Sequence, residues 1–220
     1  MSKPQMKRLG GFLVVLLLIV GGYFALSNRP ANIDITSDDL PDAVETVVTE
    51  SENILVIEIA GEGAGTVEIL MRPDLAPLHV ERIKELARSG AYDGIVFHRV
   101  IDGFMAQTGD VEFGKLEGYD YRMSGMGGSD LPNLPAEFSN ITYVEGIIGM
   151  ARSNDPDSAN SQFFIMFDDA GFLDGQYTVI GRVISGMEFV QAIKRGDSGA
   201  NGSVFEDPDY MATVRVKSDL

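Results

Sequence analysis

Phe97-His98-Arg99-Val100-Ile101-Asp102-Gly103-Phe104-Met105-Ala106-Gln107-Thr108-Gly109-Asp110 sets one arginine among large apolar residues, with an amide at Gln107 and glycines on either side of Phe104 to Gln107. The mixture suits a shallow apolar groove holding one fixed donor. Ile95 to Val100 and Phe104 to Gln107 read as strands.

Working outward, Ile54 to Ile59 and Thr66 to Leu70 are β-rich runs separated by Gly61-Glu62-Gly63-Ala64-Gly65, a hairpin signature. Further strands are expected at Ile147 to Ala151, Gln162 to Phe167, Thr178 to Ile184 and Met211 to Val216. Pro73 and Pro77 punctuate the start of a helix with Val80, Ile83, Leu86 and Ala87 on one face, and Gly90 ends it. A second helix fits Met187 to Lys194, with Met187, Val190 and Ile193 in line. Many short strands and only two helices favour a closed antiparallel sheet over a doubly wound fold, so the class is mainly β. No internal repeat is present. Residues 111–146, with Gly125, Gly127, Gly128, Pro132 and Pro135, read as long loops, which are either functional rims or solvated excursions.

The N-terminus is of another kind. Residues 1–8 are basic, and Leu9 to Leu26 follow as 18 residues without a charge. At 1.5 Å per residue such a helix spans roughly 27 Å, close to the hydrocarbon thickness. Residues 9–27 therefore read as an N-terminal hydrophobic helix, a retained signal anchor or a signal peptide cleaved after Ser27, with the anchor preferred. The basic side should stay in the cytoplasm, which places the rest outside it, in the periplasm. Residues 28–52, broken by Arg29-Pro30 and rich in Asp and Glu, read as an acidic flexible linker. The folded domain is expected over 53–220.

A chain of 220 residues fits one full domain plus a short appendage. Its 45% hydrophobic and 23% charged content excludes a polytopic membrane protein and a wholly disordered one. The net charge of -16 becomes more negative still once Lys3, Lys7 and Arg8 are set aside, so phosphate backbones are repelled and nucleic acid is not an expected partner. With no cysteine, disulfides, thiolate catalysis and Cys-based zinc sites are excluded.

Two histidines limit acid-base schemes. His79, early in the first helix, reads as a surface or packing residue. His98 beside Arg99 should be held low in pKa by that charge, a poor start for a metal ligand or proton shuttle. No Gly-x-Ser-x-Gly, phosphate loop, dinucleotide fingerprint or His-Glu-x-x-His helix is present.

What remains is Arg99 and its apolar company. Phe97-His98-Arg99-Val100-Ile101 with Gly103-Phe104-Met105-Ala106-Gln107 and Gly109-Asp110 resembles the signature of the cyclophilin-type peptidyl-prolyl cis-trans isomerases. Gly149-Met150-Ala151, Ser161-Gln162-Phe163-Phe164-Ile165 and Phe172-Leu173-Asp174-Gly175-Gln176-Tyr177 resemble the same family, in the same order, so the likeness runs from about residue 53 to 217. The resemblance implies a closed eight-stranded antiparallel β-barrel capped by two α-helices. It implies catalysis of X-Pro rotation by Arg99 and Gln107, with the substrate held by Phe104, Met105, Ala151, Gln162, Phe164, Phe172, Leu173 and Tyr177. It implies no metal and no organic cofactor.

The family pattern is departed from at three places. Phe172 stands where many members have Trp, Tyr177 replaces a common His, and Arg152 sits where Asn is frequent. Loss of the indole donor implies weaker binding of cyclosporin-type inhibitors. Phe and Tyr at these places also resemble bacterial members. The expected partners are proline-containing unfolded or exported polypeptides and, through the N-terminal segment, the membrane; a monomer is expected. A rival reading is a cyclophilin-like module that grips proline segments without turnover. A third is an unrelated small barrel binding an apolar ligand in its interior.

Overall fold

A computed structural model of the chain describes residues 51–220. The basic segment, the hydrophobic helix and nearly all of the acidic linker expected over 1–52 lie outside the described residues. Among the described residues no helix is long and apolar enough to cross a membrane.

In chain order the elements are β1 (Ile54–Ala60), β2 (Gly65–Met71), α1 (Pro77–Arg88), β3 (Ile95–Val96), β4 (Arg99–Ile101), β5 (Met105–Thr108), β6 (Ile147–Met150), β7 (Phe163–Met166), β8 (Val179–Ser185), α2 (Met187–Ala192) and β9 (Tyr210–Val216). The strands form one antiparallel sheet in the order β3-β9-β1-β2-β8-β6-β7-β5-β4. Among the described residues the fold is mainly β with two α-helices, as the patterning predicts. The closed eight-stranded barrel is corrected in two respects: among the described residues there are nine strands, and the sheet they form curls without a ladder between its two ends.

Both corrections have one cause. The expected strand Ile95 to Val100 bends at Phe97-His98, so its first half pairs with β9 and its second half with β5. The ends of the curled sheet are therefore consecutive pieces of chain, and neither is long enough to pair with the other. The outer edge of β4 is covered instead by residues 196–204: Val100 N–H donates to the Gly202 carbonyl at 2.7 Å, Gly196 N–H to the Val100 carbonyl at 2.9 Å and Val204 N–H to the His98 carbonyl at 3.1 Å. An edge strand left bare would template pairing with another chain. The covering loop also brings Asn201 to the site described below.

Alternation along the strands separates two apolar clusters. Val100, Ala106, Ile148, Phe163, Ile165 and Ile180 belong to the main core inside the curl, with Val80, Ile83, Leu86 and Ala87 of α1 and Val190 of α2 closing on it. Met105, Ile147, Phe164, Met166 and Val179 belong to a second cluster on the other face, joined by Tyr143, Ala151, Ala170 and Leu173. The second cluster is the floor on which the groove lies.

The helix α1 starts with Pro77 but has no side-chain cap of its own. Glu137, from the long loop, accepts from the amides of Leu78 at 3.2 Å and His79 at 3.1 Å, and meets His79 Nδ1 at 2.6 Å. Two orphan amides at the helix start are thereby satisfied from a remote segment. His79 is fully buried, so it is a packing residue and not a surface one. Arg82 Nη2 donates to the Pro132 carbonyl at 2.9 Å, a further tie between α1 and the loop. Residues 111–146 contain no strand or helix, as expected, yet they are pinned along their length and form part of the wall of the groove.

Candidate active site

The register of the sheet sets Arg99, Gln107, Phe164 and Gly149 in one row across β4, β5, β7 and β6. Side chains directly opposite on one face of a sheet meet, so a strand-level accident of sequence becomes a contiguous surface. Gly149 completes the row by having no side chain: a Cβ there would overlap the Phe164 ring and the Tyr143 hydroxyl. The Phe164 and Tyr143 rings stack at 5.9 Å in that space.

Arg99 is buried and held on three oxygens. Its Nε donates to the Asn201 carbonyl at 3.0 Å, its Nη2 to Asn201 Oδ1 at 2.9 Å and its Nη1 to Gln107 Oε1 at 3.2 Å. Met105 Sδ lies 3.9 Å from Nη1. No carboxylate is among these partners. Burial pushes the guanidinium down to about 10, so it remains a cation at neutral pH, and among the described residues no carboxylate forms an ion pair with it.

Gln107 continues the network, its Nε2 donating to Gln162 Oε1 at 3.0 Å. Gln162 Nε2 then donates to the carbonyls of Gly125 at 3.1 Å and Gly127 at 2.8 Å. The amides of the same two glycines reach Asp110 Oδ2 at 2.7 Å and 3.0 Å, while Oδ1 accepts from the amides of Glu112 at 3.1 Å and Phe113 at 2.9 Å. A fully buried aspartate thus anchors the loop on which Gln162, and through it Gln107 and Arg99, are set.

Above this row opens a cleft. Eight of the ten expected residues line it: Arg99, Phe104, Met105, Gln107, Ala151, Phe164, Leu173 and Tyr177. Gln162 lines a neighbouring depression that shares Met126, Ala151 and Arg152 with the cleft. Phe172 is 59% exposed and sits at the rim, its ring 5.6 Å from that of Phe104. Tyr177 meets Phe164 edge-on at 5.8 Å, and the Arg152 guanidinium lies 4.5 Å over the Tyr177 ring, within cation–π range. Burial raises the Tyr177 phenol, so this ring is a neutral wall.

His98 also borders the cleft, but as filler. It is buried, lies under Gly125, where a Cβ would stand 2.9 Å from His98 Cδ2, and neither ring nitrogen has a hydrogen-bond partner. Its pKa is pushed down to about 4 first by burial, with Asp110 pulling the other way and Arg99 adding a smaller push. The direction expected from sequence holds; the leading cause is burial and not the neighbouring arginine.

Sequence reading missed Asn201, Asp110 as an anchor, and the cleft walls at Tyr121, Ser124, Met126 and Ser203. Asn201 has φ 55, a left-handed conformation that asparagine tolerates better than most residues. Asn201-Gly202 therefore marks a turn in the sequence, but nothing local says that the turn covers β4.

With this geometry in view, comparison with known proteins gives a consistent result. The family model described as cyclophilin type peptidyl-prolyl cis-trans isomerase/CLD matches residues 54–216. A probable peptidyl-prolyl cis-trans isomerase of Brucella suis biovar 1 (strain 1330) is 52% identical over 179 residues, covering 80% of this chain and 89% of that protein. Peptidyl-prolyl cis-trans isomerase B of Bacillus subtilis (strain 168) is 34% identical over 136 residues, covering 62% and 88%. Among solved structures, the cyclophilin AquaCyp293 from Hirschia baltica superposes with a TM-score of 0.63 at 27% identity, covering 78% of this chain and 76% of its own.

Proposed function

The chain belongs to the cyclophilin-type peptidyl-prolyl cis-trans isomerases, and from that membership we propose how its own residues work: Arg99 is the electrostatic catalyst, Gln107 its holder, and Phe104, Met105, Phe164 and Leu173 the seat of the proline ring. Ala151, Gln162, Phe172 and Tyr177 complete the substrate surface. The observation that carries this reading is a buried, unpaired guanidinium fixed on Asn201 and Gln107 beside an apolar floor.

Rotating an X-Pro bond breaks amide resonance against a barrier of about 18 to 20 kcal/mol. In the twisted state the proline nitrogen turns pyramidal and regains a lone pair. An N–H of Arg99 donates to that lone pair, an interaction that the planar ground state does not offer, so the contact lowers the barrier instead of merely tightening binding. The apolar walls exclude water and strengthen the contact. No bond to a side chain forms, and no proton leaves the arginine.

This chemistry makes a pH prediction. Arg99 is held down only to about 10 and His98 is pushed down to about 4, so neither changes charge near neutral pH. The isomerisation rate of an X-Pro peptide should be flat from about pH 5.5 to 9, with Arg99 protonated and His98 neutral throughout. An inflection near the ordinary histidine pKa would sink the arginine-only reading. A rate no greater than buffer, with peptide binding kept, would favour the binding-module reading.

The clients we propose are proline-containing unfolded or exported polypeptides, met outside the cytoplasm by a monomer tethered to the inner membrane and assisting their folding. The support is the N-terminus itself, where Lys3, Lys7 and Arg8 precede 18 uncharged residues. Membrane fractionation with N-terminal sequencing should find the chain in the membrane fraction with its apolar segment attached. A soluble chain beginning at Asn28 would replace the anchor with a cleaved leader.

A further inference from the structure

Two aromatic rings stand in water at the Arg99 end of the cleft, and the isomerase chemistry uses neither. Tyr121 is 45% exposed and Phe205 41%, and their rings meet at 4.8 Å with an interplanar angle of 67°. Met123, 40% exposed, lies two residues beyond Tyr121. The rings come from segments far apart in the chain, so their meeting is made by the tertiary structure. Their edge-on contact makes a small exposed aromatic patch beside the cleft.

The pair is held rigidly from both sides. The Tyr119 hydroxyl donates to the Val204 carbonyl at 2.5 Å, fastening the residue before Phe205 to the segment before Tyr121. On the other side the Asp120 carboxyl accepts from Arg122 Nε at 2.8 Å and Nη2 at 3.0 Å, and the Ser124 amide closes a turn onto the Asp120 carbonyl at 3.1 Å. Rigid rings offer contact area at little cost in side-chain entropy. The Arg122 guanidinium, neutralised by Asp120, lies 5.9 Å over the Tyr121 ring and so backs that ring as part of the patch.

The identity of what covers it follows from continuity. Tyr121 lines the cleft itself, together with Arg99, Asn201 and Ser203, and Phe205 follows two residues after Ser203. Leu173 and Tyr177, with Phe172 at the rim beside them, belong to a separate loop of the wall. A polypeptide whose proline sits on the Phe164 floor and continues past Arg99 therefore runs onto the Tyr121 and Phe205 rings.

We propose that Tyr121 and Phe205 form a second apolar subsite of the groove, which takes an aromatic or large aliphatic side chain of the same client chain a few residues from its proline. The proposal rests on the isomerase reading above and adds a selection rule: prolines flanked by apolar residues, as exposed in unfolded chains, are preferred.

The test is a positional scan with the full chain. Alanine-rich peptides with a single proline carry one Phe at each of the three positions before and after it, and kcat/KM is compared with the all-alanine parent. One position is expected to give a gain of about three- to tenfold, the range of an aromatic pair, mainly through KM. That gain should fall to about onefold in Phe205→Ala and in Tyr121→Ala/Phe205→Ala, and persist in Tyr121→Phe, which keeps the ring. A flat scan with normal turnover of the parent overturns the subsite alone, as does a gain that survives in the double variant. Absence of turnover even of the parent overturns the isomerase reading beneath it. A flat scan with concentration-dependent association that Phe205→Ala abolishes would assign the patch to a second copy of the chain instead.

Discussion

Arg99→Ala is expected to lower kcat/KM for an X-Pro peptide by about 10²- to 10³-fold, the usual cost of deleting a donor aimed at developing electron density. Three of the guanidinium's N–H groups are already committed to Asn201 and Gln107, so its position is set before substrate arrives. The loss should fall on kcat more than on KM, because the missing contact is one that only the twisted state makes. Arg99→Lys keeps the charge but cannot engage Asn201 and Gln107 together, and an intermediate loss is expected. Both variants should keep the wild-type circular dichroism spectrum. A fall of less than about threefold in Arg99→Ala would remove the arginine from the mechanism, since deleting a preorganised donor aimed at the transition state costs far more than that.

Asp110→Ala should carry the largest cost to stability, about 3 kcal/mol or more by urea unfolding. The carboxyl group is fully buried and accepts from four backbone amides, at Glu112, Phe113, Gly125 and Gly127. Removing it leaves those donors without partners, and each buried orphan costs about 1 to 3 kcal/mol unless water reaches it. The consequence extends to the cleft. Gly125 and Gly127 also accept from Gln162, which in turn accepts from Gln107, so a released loop lets the support of Arg99 slacken. A secondary fall in kcat should accompany the loss of stability. Asp110→Asn keeps one oxygen but turns an amide toward the donors, and should lie between the two. A stability change below about 1 kcal/mol, with unaltered hydrogen exchange at Gly125 and Gly127, would show that the loop holds itself.

These two residues differ in how far the sequence announces them. Arg99 is legible because a lone cation in an apolar strip is unusual, and because Gln107 follows at a distance that a short hairpin turns into a cross-strand pair. Asp110 lies in the same quoted stretch, yet its role depends on amides of residues up to 17 positions away, which no local pattern encodes. His98 shows the intermediate case. Its neighbour Arg99 is visible in the sequence and does lower its pKa, but the larger cause is burial, which is a property of packing.

Strand and helix positions over the described residues and the apolar character of Phe104, Met105, Phe164 and Leu173 follow from residue order alone, because side-chain alternation and helical periodicity are local physics. The number of strands and the open ladder do not. They depend on the bend at Phe97-His98, where one run of β-formers is divided between two neighbours, and on residues 196–204 taking the hydrogen bonds that a closing strand would have taken. The same covering segment delivers Asn201 to Arg99, and the residue that follows it, Phe205, meets Tyr121. Those contacts join residues about a hundred and about eighty positions apart, and only the closing of the chain on itself, driven by burial of the shared core, brings them together.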